Sequence, residues 1–177
     1  FLDAKSKLDA IDRFQATIEF TPDGVVLEAN ENFQKTMGYS LNEVTGLHHR
    51  TFVRPEDAAS SAYAEFWEKL RRGQGVAGDF LRLDKSGREV WLRASYNPIL
   101  DRNGNTTKVV KFATDITEEK RYQQSIEELV ERASAVMGAV AEGDLSQSVA
   151  GEYPGQLVQL QDATNRSIEN LSDLITQ

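Results

Sequence analysis

The sequence predicts an α+β fold in which a five-stranded antiparallel sheet carries short helices and is followed by a helical module. Segments between residues 80 and 113 alternate apolar with polar residues, the period of half-buried strands. Glycine-containing turns separate these segments. After residue 117 the apolar residues recur every three or four positions instead, which predicts helices. With 177 residues, 40% of them hydrophobic, the chain can bury one good core and a second small module.

Three strands form the centre of the prediction. They cover Phe80–Leu83, Glu89–Tyr96 and Lys108–Ala113, which are rich in branched and aromatic residues. The turns Asp84–Gly87 and Asp101–Gly104 join them, because glycine or asparagine supplies the positive φ of a tight hairpin. The sequence therefore predicts an antiparallel meander that is followed directly by a helix after Thr117.

The N-terminal part is predicted to add one helix and two strands. Leu2, Leu8 and Ile11 are spaced along residues 1–13 as on one face of an amphipathic helix. Strands at Thr17–Phe20 and Val25–Glu28 then flank a Pro-Asp-Gly turn, in which proline presets φ and glycine relieves it.

Capping residues place the helices that follow. Asn30 is expected to cap a helix that Gly38 closes, and Ser40 with Glu43 forms a capping box for a short second one. Pro55 is expected to start a longer helix that runs to Arg72.

Composition excludes several functions. A net charge of −8 and the absence of a basic stripe argue against nucleic acid as a partner. No run approaches the roughly 20 apolar residues of a membrane span, and no cysteine is present for disulfides or thiolate sites, so we expect a cytoplasmic chain. No phosphate-binding glycine loop, catalytic triad or paired-histidine motif is found, so the chain is not expected to be an enzyme.

The order of these elements and several short motifs resemble a PAS domain over residues 14–117. The matching motifs follow in chain order: Phe20–Gly24, Ala29–Phe33, Met37–Ser40, Glu43 with Gly46, Gly87–Leu92, Asn97–Ile99 and Asp115–Thr117. The resemblance implies the PAS fold, a five-stranded antiparallel sheet with short helices on one face.

Two segments narrow the resemblance to PAS domains of bacterial methyl-accepting chemotaxis proteins and aerotaxis receptors. These are Gly46–Val53 and Glu65–Leu70. Such receptors continue into a chemotaxis signalling domain that controls a histidine kinase through a coupling protein, so the resemblance implies those partners in the parent protein.

The C-terminal segment resembles a HAMP domain. Its first helix carries an a/d seam that calls for a partner helix, formed by Ile126, Leu129, Ala133, Val136 and Val140. A polar connector with two apolar positions and a second amphipathic helix follow. The resemblance implies parallel helices and a homodimer, with residues 118–125 as the connecting helix and 126–177 as the HAMP-like relay. Tyr153 and Pro154 depart from the family pattern, and an ordinary antiparallel hairpin stays open as the alternative.

His48 and His49 are the candidate axial ligands of a haem iron, because neutral imidazole is a common ligand of haem. Being adjacent, they point about 100° apart on a helical turn, so at most one can face the pocket. His49 matches the cavity-facing cysteine of flavin-adduct light sensors and is favoured. The resemblance favours haem b, with FAD as the alternative and no cofactor as a third possibility; in the last case His48 is a surface residue and His49 bonds the backbone.

Four further residues are candidates for cofactor binding. Arg50 and Arg54 can pair with a propionate or phosphate, although both can equally be solvated. Trp67 and Trp91 can contact a bound group or simply fill the core. Asp115 and Thr117, where the last strand meets the helix, are predicted to carry the signal, with Asp115 pairing with an arginine or capping the first helical amides.

Two functions are thus compatible with the sequence. The first is a sensory input and relay module of a chemotaxis receptor, which senses oxygen, redox state or a small ligand and passes a conformational change through the HAMP-like helices. The second is a cofactor-free PAS module that serves dimerisation and assembly.

Overall fold

The computed structural model describes residues 6, 10 and 12–175, and the chain divides into two units, Phe1–Thr117 and Glu118–Gln177. The predicted N-terminal helix over residues 1–13 lies almost entirely outside the described residues. The first unit contains a sheet with short helices, and the second consists of helices and a connector. No helix of the described part is long and apolar enough to cross a lipid bilayer.

The first unit is built on a five-stranded antiparallel sheet, as predicted. Its strands are β1 Ala16–Phe20, β2 Val26–Ala29, β3 Val76–Leu83, β4 Glu89–Leu100 and β5 Thr106–Asp115. They lie in the order β2-β1-β5-β4-β3, so that the last strand is central. The sheet prediction is confirmed, although β3 begins four residues and β5 two residues earlier than expected, and β4 continues through Pro98.

Strand alternation determines which side chains enter the core. On β4, Val90, Leu92 and Tyr96 are buried. Between them, Trp91 is half-buried and Arg93 is exposed. The register pairs Tyr96 with Lys111 of β5, so these two residues share the core-facing side of the sheet.

Short helices cover that side. They are α1 Glu31–Met37, α2 Leu41–Val44, a 3₁₀ turn at His49–Phe52, α3 Pro55–Ala58 and α4 Ser61–Arg71. Asn30 caps α1 by accepting from the amide of Phe33, and the Ser40 and Glu43 capping box opens α2, both as predicted. The single helix predicted over 55–72 is wrong: the chain breaks at Ala59, and the Ser60 hydroxyl caps α4 by accepting from the amide of Tyr63.

The second unit has two helices, α5 Thr117–Ala141, which begins at the end of the first unit, and α6 Gln156–Ile175. Leu129 and Val136 of the predicted seam are buried in a small core with Val149, Tyr153 and Ile168. The connector and α6 of the same chain therefore cover these two residues of the seam.

Side-chain amides hold the connector against α6. The backbone amide of Val149 donates to Asn165 Oδ1 at 2.8 Å, and Asn165 Nδ2 donates back to the Val149 carbonyl at 3.1 Å. Gln161 Nε2 donates to the carbonyls of Val149 and Gly151. These bonds satisfy backbone groups that a coil segment would otherwise leave to water.

Candidate functional site

His49 lies in the core of the sheet-containing unit and is fully buried. Its backbone amide donates to the carbonyl of Gly24 at 2.7 Å, and Val25 forms a β-bridge with the neighbouring His48. The hairpin between β1 and β2 thus fixes the start of the 3₁₀ turn. The turn geometry directs the two histidines differently, leaving His48 half-buried.

Both ring nitrogens of His49 contact tyrosine hydroxyls. Nδ1 lies 3.0 Å from Tyr63 Oη on α4, and Nε2 lies 3.0 Å from Tyr96 Oη on β4. Arg82 Nη2 donates to Tyr96 Oη at 3.1 Å. A hydroxyl oxygen can accept two hydrogen bonds, so the bond from Arg82 is compatible with either neutral tautomer of His49.

Aromatic rings surround the imidazole. The rings of Tyr63 and Phe66 stack on it with centroids 5.7 and 5.9 Å away, and Phe20, Trp67 and Tyr96 meet it edge-on at 5.3 to 5.6 Å. Such edge and offset contacts are favourable beyond the area they bury. The imidazole is therefore held in one orientation by both its hydrogen bonds and its packing.

Two positive side chains, Arg82 of β3 and Lys111 of β5, are buried beside Tyr96, with 8% and 2% of their surface exposed. The Lys111 ammonium lies 4.9 Å from the centre of the Tyr96 ring, and the Arg82 guanidinium lies 4.9 Å from that of Phe80. Within the described ranges, no Asp or Glu carboxylate forms an ion pair with either cation. We call His49, Tyr63, Arg82, Tyr96 and Lys111 the core cluster.

The charges of the core cluster shift its pKa values. Burial, with added repulsion from Arg82 and Lys111, holds the pKa of His49 well below its usual value, so the imidazole is neutral. Burial lowers the pKa of Lys111, and the charge of Arg82 adds to that shift. Burial acts to raise the pKa of Tyr96, but the charges of Lys111 and Arg82 outweigh it and lower that pKa.

The structure brings together only some of the residues predicted to bind a cofactor. Trp67 is buried against His49. Trp91 lies on the opposite face of the sheet from buried Val90 and Leu92, because strand side chains alternate, so it does not belong to the core cluster. Arg54 pairs with Glu89, and Arg50 is exposed and donates to His48 Nδ1, so neither arginine belongs to the core cluster.

The core cluster does not fit a haem in this arrangement. An axial ligand must offer a ring nitrogen to the iron, and both nitrogens of His49 already meet tyrosine hydroxyls. Stacked rings of Tyr63 and Phe66 also occupy the space beside the imidazole. Binding of haem b or FAD stays a prediction, which absorption spectra can test.

Hydrogen bonds organise the junction of β5 with α5. Asp115 Oδ1 accepts from the backbone amide of Thr117 at 2.9 Å and from its hydroxyl, and Thr117 Oγ1 accepts from the amide of Trp91 at 3.0 Å. The amide of Ile116 donates to the carbonyl of Trp91 at 2.9 Å. The first residue of α5 is thus tied to β4, and Asp115 binds the amide and the hydroxyl of that residue; its signalling role is still a prediction.

Sequence reasoning missed four members of the core cluster, namely Tyr63, Arg82, Tyr96 and Lys111. A signal was present, because Lys111 stands between Val109 and Ala113, two positions before and after it on β5, and both are buried. A charged residue in the phase of buried apolar residues marks a buried charge rather than a solvent-facing one.

Comparison with known proteins supports the fold and identifies proteins of similar sequence. Residues 26–113 match the family model for the PAS fold. A crystal structure of a PAS domain from Colwellia psychrerythraea superposes with a TM-score of 0.57 at 20% identity, covering 65% of this chain and 98% of that one. At that identity the likeness concerns the fold alone.

Two curated relatives are bacterial. The biofilm dispersion protein BdlA of Pseudomonas aeruginosa is 48% identical over 120 residues, which cover 67% of this chain and 29% of that protein. The aerotaxis receptor of Escherichia coli K12 is 30% identical over 95 residues, 54% of this chain and 18% of the receptor. The chain therefore spans less than a third of the length of either relative.

The buried imidazole predicts that stability falls in mild acid. The unfolded chain binds a proton at His49 below its ordinary pKa, whereas the folded chain does not, so the free energy of unfolding decreases as pH falls through about 6.5, by at most about 1.4 kcal/mol per pH unit. Urea unfolding at about pH 7.5 and about pH 5.5 measures this loss. We expect His49→Gln to remove most of the His49 contribution and His48→Gln to retain it. An equal pH dependence in wild type and His49→Gln would contradict the assignment.

Absorption spectra test the cofactor predictions. We expect protein purified from cells supplied with a haem precursor to show neither a Soret band nor flavin bands, because the core cluster fills the space next to His49. A Soret band that His49→Ala abolishes and His48→Ala preserves would contradict this expectation and restore His49 as an axial ligand.

Proposed function

Because this chain contains a PAS domain, we propose that it is the sensory input and signal-relay part of a bacterial chemotaxis receptor. In this proposal the core cluster responds to a small ligand, and the helical unit passes the change on. Similarity to the aerotaxis receptor of Escherichia coli supports this class of parent protein. The partners would be the downstream chemotaxis signalling domain and, through a coupling protein, a histidine kinase.

The observation that carries the proposal is the position of β5. This strand contributes Lys111 to the core cluster and, four residues later, Asp115 to the start of α5. Only Ile116, which is buried, separates the strand from the helix. A change in the core cluster that shifts β5 therefore acts close to the first turn of the helix.

The sequence of the junction also supports mechanical coupling. Residues 114–124 contain neither glycine nor serine, whereas a linker that only tethers two parts is rich in both. The bonds of Thr117 to Asp115 and to the amide of Trp91 restrain the first residue of α5. Without a flexible segment, a displacement of β5 is expected to change the angle or phase of that helix.

The second unit supplies features that suit a HAMP-like relay. Val149 of the connector packs with Leu129, Val136 and Ile168, and Asn165 binds both its amide and its carbonyl. A connector fixed in this way holds two helices in a defined relation within the unit. We propose that this unit relays rotation or tilt of α5 to segments beyond residue 177.

A cofactor-free dimerisation and assembly module is the second candidate, and exposed apolar side chains favour it. Val130 and Met137 of α5 are 57% and 51% exposed, and Leu160 and Leu171 of α6 are 54% and 44% exposed. Contiguous exposed apolar surface commonly marks an interaction site. A homodimer through these helices is compatible with both candidates, so sensitivity to helix phase is what distinguishes them.

Helix phase provides the functional test. In a full-length parent protein, inserting two residues after Thr117 rotates the following helix by about 200°, whereas seven residues restore the phase to within about 20° of two turns. We expect the shorter insertion to invert or abolish receptor-controlled kinase activity and the longer one to preserve most of it.

Asp115→Ala is expected to alter output while costing about 1 kcal/mol in stability.

Indifference to insertion length would contradict the relay and favour the assembly module. Thermal unfolding of each variant is the control, since an insertion that unfolds the chain would abolish output for another reason. Glu118→Ala serves as a matched substitution, because Glu118 is an exposed carboxylate on the same helix turn that pairs with Arg121 rather than capping the helix.

A further inference from the structure

The core cluster holds more hydrogen-bond donors than acceptors. Arginine and lysine carry five and three N–H donors and no acceptor, and only hydroxyls, one imidazole nitrogen and the carbonyl of Leu81 face them. One buried donor, Arg82 Nε, finds no partner among the described residues. Buried polar groups are normally satisfied, so the unpartnered Arg82 Nε is a donor that an added acceptor would satisfy.

The charge of the core cluster is equally unbalanced. Arginine stays protonated under all ordinary conditions, so Arg82 is a permanent cation with 8% of its surface exposed. Lys111, at 2% exposure, adds a second basic group on the same side of the sheet. A buried charge without a counter-charge is costly, whereas a bound anion would compensate it.

A surface cleft leads towards the core cluster. Its walls include Asp23, His48, Arg50, Tyr63 and Trp67, and its volume is about 270 Å³. Tyr63 lines this cleft with its ring and meets His49 Nδ1 with its hydroxyl. The Tyr63 side chain thus lies between the cleft and His49, and its displacement would open a route for a small molecule.

We propose that the core cluster binds a small organic carboxylate, with Arg82 and Lys111 as its counter-charges and with Tyr63 as the side chain that moves to admit it. This inference rests on the proposed sensory function and names the chemical class of its ligand. A carboxylate matches the planar guanidinium and can accept two parallel N–H bonds, including one from the unpartnered Arg82 Nε. The aromatic side chains packed against Tyr96 favour a compact acid with an apolar body.

Charge also separates this ligand class from others. Phosphate carries more charge and needs several donors from backbone or arginine, whereas the core cluster offers one guanidinium, one ammonium and hydroxyls. The aromatic side chains next to Tyr96, namely Phe66 and Phe80 at 4.8 and 5.4 Å, would contact the apolar part of an acid.

The test measures the thermal unfolding midpoint of the whole chain in sodium acetate, succinate, benzoate, phosphate and chloride at one ionic strength. A ligand that binds only the folded state raises the midpoint in proportion to the logarithm of its concentration over Kd. We expect at least one carboxylate to raise the midpoint, and phosphate and chloride not to. Arg82→Gln and Lys111→Gln should each weaken the binding of that carboxylate by tenfold or more.

Arg93→Gln is the matched control, since Arg93 lies on the opposite face of the same sheet, where it pairs with Asp79. It should bind the carboxylate as the wild type does. If neither cluster variant folds, the wild-type titration alone decides: a wild-type midpoint that no carboxylate raises above the chloride value overturns the proposal. So does a tyrosinate absorbance band at neutral pH that Tyr96→Phe removes, because the counter-charge would then be the phenolate.

The outcome is separable from that of the proposed function. If no carboxylate binds but helix insertions still change kinase output, the ligand class is wrong and the relay stands. If carboxylates bind through Arg82 and Lys111 while output ignores the insertions, the binding site stands and the relay is wrong.

Discussion

The core of the sheet-containing unit depends on the hydroxyl of Tyr96. It accepts a hydrogen bond from Arg82 and contacts Nε2 of His49. The ammonium of Lys111 lies 4.9 Å from the centre of the Tyr96 ring. Strands β3, β4 and β5 and the 3₁₀ turn thus meet at one residue. Since β5 lies at the centre of the sheet and ends next to α5, whatever alters this contact acts on the strand that leads to the helix.

Buried positive charge explains why such a core suits a sensor. An apolar core of the same size would be more stable without any need for a ligand, since paired or unpaired buried ions seldom add net stability. A cationic, donor-rich core is instead poised to gain stability when an anion enters. Binding free energy of that kind can favour one arrangement of β5 over another, which is what a ligand-driven population shift requires.

Local patterns sufficed to predict the strands, the turns and the caps, because each depends on residues close together in the chain. Asn30 and Ser40 cap helices as the capping rules require. The break at Ala59 was missed, since Ser60 was read as part of a helix rather than as the cap of α4. His49 was identified only as a candidate ligand, and its tyrosine partners lie 14 and 47 residues away, beyond what local spacing can predict.

Alternation alone could not reveal the core cluster. Polar residues in a strand normally face solvent, whereas Arg82 and Lys111 both occupy the buried phase. Conversely, Trp91 was assigned to the core because it is aromatic, and the register places it on the other face. In the second unit the apolar seam was identified, but its cover, formed by Val149 and Tyr153 of the connector, depends on the path of the chain.

Hydrogen exchange in the Tyr96→Phe variant tests the central claim, that the core cluster and the start of α5 are coupled through β5. This substitution removes one hydroxyl and keeps the ring, so it changes the contacts with His49 and Arg82 without leaving a large cavity. The account predicts faster exchange in peptides covering 106–117, including the amides of Ile116 and Thr117. Faster exchange confined to peptides around His49 and Tyr63, with unchanged protection of Ile116 and Thr117, would contradict it.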